Sequence, residues 1–559
     1  MDSLVSGSPV TLAEEATLAA LLRCCARELA GPGARTEGPY LTLRLAGTRL
    51  RVPAGGGLAL RFTGPAEWLD GDAWRPLGVD RLVRLVETEL STPDGGNEEF
   101  AGQVAASQDA IAAMAKARLD AEPPADPWLA SEQALLFGHP FHPAPKARGG
   151  DDWLAYAPEA HAAFPLRLLA VRDDVVVSRG ETAVLDGLGD APPGYTLLPA
   201  HPWQVELLGG ALAGPLGDGR LLDLGDGRAP VTPTSSVRTV FEPESGTCLK
   251  FSLNVRITNC VRKNAWYELE GAVALTALLD PVFRDLSARF PGTRWLPEPG
   301  YRSAGLGTAL LEGLGVIIRT GPRSAVSPGV TPVLSGALAA GHLPPACRAD
   351  PVAWWTAYVR RVALPALDAY LTHGVVLEPH LQNVLVGLDA DGLPAEAVFR
   401  DLEGTKLLPG PESTAPPGPE STAPPGPEST APPGPENARF PGRPLPAALP
   451  AEVRAALTYD AERGWNRVAY CLFVNHLAEI AATVAHGTGL LPELWATAGR
   501  VLTGYAEGHG RAGRLRDLLG GAPLPAKANL SVRWARSADR AAGYVPIGNP
   551  LRPSGTSTR

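Results

Sequence analysis

The stretch Thr372-His-Gly-Val-Val-Leu-Glu-Pro-His-Leu-Gln-Asn-Val-Leu-Val386, resumed at Phe399-Arg-Asp-Leu-Glu-Gly404, decides the reading of this chain. His373-Gly374 is a helix-stop signal. Upstream of it, residues 352–373 set Trp354, Trp355, Tyr358, Val362, Leu364 and Leu367 at helical spacing. Downstream, Val384-Leu-Val386 is a short apolar run of strand character. The pattern is therefore a helix, a turn, His380-x-x-Asn383, a strand, and Asp401 eighteen positions after the Asn.

That order resembles the catalytic segment of small-molecule kinases, in which an Asn and a later Asp hold the metal on ATP. The Asp that would precede the Asn as a base is absent, and Gln382 sits nearby instead. Phosphoryl transfer to a hydroxyl is disfavoured without that base, while ATP binding with attack at a different phosphate stays open. No G-x-x-x-x-G-K-[ST] occurs, which excludes a P-loop enzyme.

Working outward, Thr11-Leu-Ala-Glu14 reads as a capping box opening a helix over 12–30. Leu41, Leu43 and Leu45 alternate, turn at Ala46-Gly47 and resume at Leu50 and Val52, a hairpin. Residues 99–118 are helical in pattern, and Pro123, Pro124 and Pro127 end them, placing a boundary near 130. From 131 to about 340, short strands such as 168–171 and 195–198 alternate with turns, and 264–279 reads as a helix. From about 345 the chain turns helical, and 445–535 stays so up to a short strand-like end. Between these, 410–433 is three perfect copies of Gly-Pro-Glu-Ser-Thr-Ala-Pro-Pro, an extended solvated insertion with no apolar face to bury.

Composition narrows the classes. The 559 residues carry 50 basic against 59 acidic side chains, a formal charge of −9, with no Lys/Arg-rich run, so nucleic acid is not the expected partner. No apolar stretch approaches the roughly 18 residues of a membrane helix. Met1-Asp-Ser-Leu4 lacks the basic start of a secretory signal, so a cytoplasmic protein with no membrane partner is expected. The six cysteines include no C-x-x-C pair and read as reduced core thiols, against a structural zinc site. Lysine is scarce: Lys116, Lys146, Lys250, Lys263, Lys406 and Lys527 are all there are. Where Arg is the default cation, a retained Lys points to a need for a compact ammonium, although Lys116 reads as a leftover on a solvated face.

Four further segments are too polar for a core. Gly138-His-Pro-Phe-His-Pro-Ala-Pro-Lys-Ala-Arg-Gly149 is an irregular loop offering His139, His142, Lys146 and Arg148. It is equally a surface turn whose histidines cap carbonyls. His201-Pro-Trp-Gln204 is weak and often mere packing. Pro233-Thr-Ser-Ser-Val-Arg-Thr239 is either an oxyanion cradle built from Ser236, Arg238 and Thr239 or a Ser/Thr-rich turn. Lys250 to Thr258 alternates as one strand with Lys, Ser, Asn, Arg and Thr on a single face, followed by Asn259 and Arg262. That face is either an outer sheet surface or an anion-binding wall.

Taken together and in this order, from about residue 130 to 535, these segments resemble the IucA/IucC family of siderophore synthetases that act without a peptide-synthetase assembly line. The resemblance implies an α+β cupped hand: a thumb at 1–130, fingers at 131–344 and a partly kinase-like palm at 345–559. The octapeptide insertion departs from the family pattern. The implied reaction is ATP-dependent adenylation of a carboxylate, most often citrate, followed by attack of an amine or hydroxyl, with Mg²⁺ assisting. The resemblance assigns His139, His142, Lys146, Arg148, Ser236, Arg238, Thr239, Lys250, Gln382, Asn383 and Asp401 to ATP. It assigns Thr258, Asn259, Arg262 and His380 to the carboxylate substrate, and Asp401 and Asn383 to the metal. Lys250, Arg262, His380 and Arg238 carry catalysis in this reading, and a homodimer is the implied assembly. Two rival classes are a small-molecule kinase and a non-catalytic ferric-siderophore binding or reductase protein.

Overall fold

The computed structural model describes residues 8–30, 34–92, 95–148, 152–257, 260–409, 445–537 and 543–552. Thr258, Asn259 and the repeat at 410–433 lie outside the described residues. Helix and sheet mix throughout, as an α+β chain requires. No helix among the described residues is long and apolar enough to cross a membrane.

The first helix runs Pro9–Cys24, continued by a wider turn over Cys25–Leu29. Its cap is Ser8, whose Oγ accepts from the Thr11 N–H at 3.2 Å, and not Thr11 itself. Proline at the first helical position fits a missing N–H there, so Ser8-Pro9 starts the helix before the predicted capping box. Leu21, Leu22 and Cys25 pack on a six-stranded antiparallel sheet that contains the predicted hairpin as Tyr40–Leu45 and Thr48–Gly55. Leu530, from near the other end of the chain, completes this apolar cluster. Glu28 accepts from the Leu530 and Ser531 N–H groups, both at 2.9 Å, and the Asn97 amide donates to the Trp534 carbonyl at 2.9 Å.

An eight-stranded antiparallel sheet follows. At its middle, Thr247–Phe251 lies between Thr239–Glu242 and Val316–Arg319. The predicted single polar strand from Lys250 to Thr258 does not exist as such. The chain leaves this sheet at Ser252, and Leu253–Ile257 pairs with Cys260–Arg262 in a separate hairpin. Ser252 is the pivot: its Oγ donates to the Glu312 carbonyl at 2.5 Å and accepts from the Asn264 N–H at 2.8 Å. Lys250 and Ser252 are buried, whereas Asn254, past the pivot, is exposed.

The third sheet joins Thr293–Trp295, Pro394–Phe399, Val384–Leu388 and Thr331–Leu334, drawing strands from both sides of residue 344. Helix Pro351–His373 packs against it. Its Asp350 cap accepts from the Ala353 N–H at 2.9 Å, and Gly374 ends it at φ 65°, a left-handed turn that suits glycine. Trp354, Trp355, Tyr358, Val362 and Leu367 are buried in the largest core, as the spacing predicts. Val384 pairs directly with Phe399, so the hairpin brings Asn383 and Asp401 side by side, and the Arg400 N–H donates to the Asn383 carbonyl at 3.1 Å. That pairing is why two residues eighteen apart can act together.

Candidate functional site

One cavity of about 3740 Å³ takes in every described residue that the sequence singled out for the site: the His139 loop, Ser236 to Thr239, Lys250, Arg262, and the His380 to Asp401 segment. At its wall, three cations face three carboxylates: Lys250 and Arg319 from paired strands, and Arg238 from the turn before strand Thr239–Glu242. Lys250 Nζ lies 2.8 Å from Asp401 Oδ1, 3.1 Å from Glu403 Oε2 and 3.9 Å from Glu298 Oε1. Arg319 reaches Glu298 Oε1 through Nε at 2.9 Å and Asp401 Oδ1 through Nη2 at 2.9 Å. Arg238 donates to Glu403 and, at 2.6 Å, to Asn264 Oδ1.

The network sets the charges of its members. Burial favours neutral carboxyls, but Lys250 and Arg319 hold Asp401 well below the usual carboxylate range. Burial likewise works against Glu403, yet Arg238 and Lys250 bring it to about 2. Burial opposes the charge on Lys250 too, and Asp401, Glu298 and Glu403 outweigh it and raise the ammonium. Both cations meet Asp401 at Oδ1, and among the described residues Asp401 Oδ2 and the buried Glu298 Oε2 have no hydrogen bond. Asp401 also sits at φ 73°, a left-handed backbone seldom used by residues other than glycine and a mark of functional sites.

A second ion pair locks the frame. Arg400 grips the fully buried Glu132 with two bonds, Nη1 to Oε1 at 2.5 Å and Nη2 to Oε2 at 3.0 Å. Glu132 also accepts from Trp128 Nε1 at 3.0 Å and from Ser235 Oγ at 2.8 Å. Gln382 turns its amide away to donate to the Ser235 carbonyl at 2.9 Å. The kinase-like segment is thereby tied to the Ser235 turn, where Ser236 Oγ accepts from the Thr239 N–H at 3.2 Å.

The His139 loop forms the opposite wall. Its Nδ1 lies 3.0 Å from the Phe141 N–H, and its Nε2 lies 2.8 Å from the Asn475 amide nitrogen and 3.3 Å from the Tyr470 hydroxyl. Burial, with His142 next to it, lowers His139 to about 3, so the ring is neutral. His142 is buried and accepts from the Ala144 N–H at 3.1 Å. Lys146 is buried against Glu159, and burial lowers its ammonium. Arg148 lines the cavity with a bond to the Ala147 carbonyl. His380 lies 4.0 Å from Glu378 and is lowered by burial.

Sequence reading did not find Glu132, Glu298, Arg319 or Glu403 as site members. Glu403 stood in the quoted stretch, and Arg319 ends the apolar strand Val316-Ile-Ile-Arg319, a charge placed where none is wanted for packing. Glu132 and Glu298 carry no local signal. His201 has the opposite outcome: it lies outside the cavity, buried among Tyr156, Phe164 and Phe251.

Three larger sheets and three two-stranded ones among the described residues, with helices around a cavity lined by fixed cations, make an α+β chain. Residues 127–340 match the IucA / IucC family model, and residues 352–542 match a model described as ferric iron reductase FhuF-like transporter. The chain is 32% identical over 317 residues to the rhizobactin siderophore biosynthesis protein RhbC of Rhizobium meliloti, covering 50% of this chain and about half, 54%, of that protein. It is 29% identical over 468 residues to the L-2,3-diaminopropanoate–citrate ligase of Staphylococcus aureus, covering 76% of this chain and 75% of that one. The ATP-bound aerobactin synthetase IucA of Klebsiella pneumoniae has the same fold, with a TM-score of 0.77 at 24% identity over 96% of this chain and all of that one.

Proposed function

We propose that this chain is an ATP-dependent siderophore synthetase. It activates a carboxylate of citrate or a citrate derivative as an acyl-adenylate, then joins it to an amine or hydroxyl, giving an amide or ester with AMP and pyrophosphate. The observation that carries this is the Lys250–Arg319–Arg238 cluster over Asp401 and Glu403, set in a cavity whose kinase-like segment lacks the Asp that would precede Asn383. Gln382, at the position nearest a kinase acid, is committed to the Ser235 carbonyl. A carboxylate nucleophile needs no base, because it is ionised near neutral pH. The citrate ligase among the relatives supports the choice of acid.

The carboxylate oxygen attacks the α-phosphorus and the bond to pyrophosphate breaks. Lys250, Arg238 and Arg262 hold phosphate and acyl oxygens as negative charge concentrates. Ser236 and Thr239 add hydroxyl donors, and His139, His142, Lys146 and Arg148 close over the triphosphate. Asn383 lies beside the nucleotide. Thr258, Asn259, Arg262 and His380 receive the carboxylate substrate. Mg²⁺ fits the donor set: Asp401 Oδ2 and the Asn383 side chain are hard oxygen ligands, and one or two carboxylates with phosphates are its usual complement. When bound, it neutralises phosphate charge. The thumb, fingers and palm organisation, a cytoplasmic location and a homodimer belong to the same proposal.

The FhuF-like match favours a reductase as a second reading. Iron–sulfur ligation needs clustered cysteines, and residues 352–542 contain Cys471 alone. Exchange of labelled pyrophosphate into ATP, dependent on citrate, tests the proposal. ADP as product would establish the kinase instead.

A further inference from the structure

The ligase reading leaves the second half-reaction without a proton acceptor. An aliphatic amine is an ammonium near neutral pH, since its conjugate acid titrates near about 10. It cannot attack until it loses a proton.

The cavity wall holds one group fitted to this. Glu268 lies in the first turn of helix Trp266–Arg289, where Oε2 accepts from the Ala265 N–H at 2.9 Å. Its other oxygen, Oε1, has no hydrogen bond among the described residues. The neighbouring charges are already matched. Lys250 faces Asp401 and Glu403, Arg238 faces Glu403, Arg319 faces Glu298, and Lys263 pairs with Glu312 at 2.5 Å. The other buried or half-buried carboxylates on the cavity wall are paired too, Glu378 with Arg467 and Glu479 with Arg61. Among the described residues, Glu268 is thus the half-buried cavity carboxylate left without a cation. An unmatched carboxylate on the cavity wall complements a positively charged substrate.

We infer that Glu268 receives the ammonium of the incoming amine and takes its proton before attack on the acyl carbon. The inference rests on the ligase reading. The amine nitrogen then supplies the electron pair for the new C–N bond. The acyl C–O bond breaks with its pair on the phosphate oxygen of AMP. The first ammonium proton goes to Glu268, and the second leaves to solvent after attack. The surroundings suit a base, because burial and then the Glu403 charge raise Glu268 to about 7, against the opposing pull of Arg238 and Lys250. A base is most effective with a pKa near the operating pH. On the same segment Lys263 is occupied by Glu312, and Arg262 lines the cavity beside it.

Glu268→Gln tests this, because a Gln oxygen can still cap the Ala265 N–H. Hydroxylamine is unprotonated near neutral pH and traps the activated citrate without a base. The variant should form citrate hydroxamate at the wild-type rate. Amide formation with L-2,3-diaminopropanoate or spermidine should fall by about 10²-fold or more near neutral pH. It should recover as the pH approaches the amine's own pKa. Loss of both rates together, or of neither, would overturn the role. Absence of citrate-dependent hydroxamate in the wild-type enzyme would overturn the ligase reading and this inference with it.

Discussion

Lys250 Nζ and Asp401 Oδ1 stand 2.8 Å apart, joined across 151 residues of chain. Lys250 is nearly inaccessible to water, and its charge survives because Asp401, Glu298 and Glu403 offset the lost hydration. The pair welds the eight-stranded sheet to the loop after the kinase-like hairpin, and it puts a fixed cation at the cavity wall.

Lys250→Met leaves Asp401 and Glu403 without a principal counter-ion. We expect a stability loss of about 3–5 kcal/mol in urea unfolding, as for other broken buried pairs. Citrate-dependent pyrophosphate exchange should fall by about 10²-fold or more, and Arg262→Ala should do the same. Near-wild-type exchange in folded protein would reject the phosphate role.

Asp401→Asn removes the carboxylate proposed to hold Mg²⁺, and exchange should be abolished at any metal concentration. Gln382→Asp sets an anion against the Ser235 carbonyl and beside an anionic substrate. It should weaken exchange without yielding ADP. ADP from this variant would revive the kinase reading.

Glu132→Gln strips Arg400 of its partner and should cost about 3–5 kcal/mol. Removing Arg400 as well should restore part of that loss, with a coupling of about 0.5–3 kcal/mol between the two sites. Strict additivity in unfolding experiments would show that the clamp does not act as a unit.

His201 contributes to acid stability. Neither of its ring nitrogens has a hydrogen bond among the described residues, and burial lowers it from 6.5 to about 3. The unfolded chain therefore binds a proton that the folded one refuses between these values, and stability falls as pH falls through that window. His201→Phe should gain on the wild type by about 1.4 kcal/mol per pH unit below about 6. Denaturation at several pH values reads this, and a constant gap would refute it.

What was legible in the sequence had a short period or a short range. Helix Pro351–His373 declared itself through Trp354 to Leu367, and Asn383 with Asp401 was readable because one hairpin separates them. The break at Ser252 was hidden, because alternation continues through it and only the distant Glu312 carbonyl and Asn264 N–H reveal the pivot. Glu132 was beyond reach for the same reason: its partner Arg400 lies 268 residues away. Ser8 rather than Thr11 began the first helix because Pro9 suits the first helical position.

The contact between Glu28 and Leu530 has a consequence for how the protein is made. The two are 502 residues apart. At about 5–20 residues per second, a ribosome takes roughly 25–100 s to travel between them. For that time the nascent N-terminal sheet has its own helices but not Leu530 or Trp534, and Glu28 lacks the N–H groups that hold it in place. The N-terminal layer is thus the first part synthesised and among the last to close, and it waits on the emerging chain with an apolar seam open to chaperones.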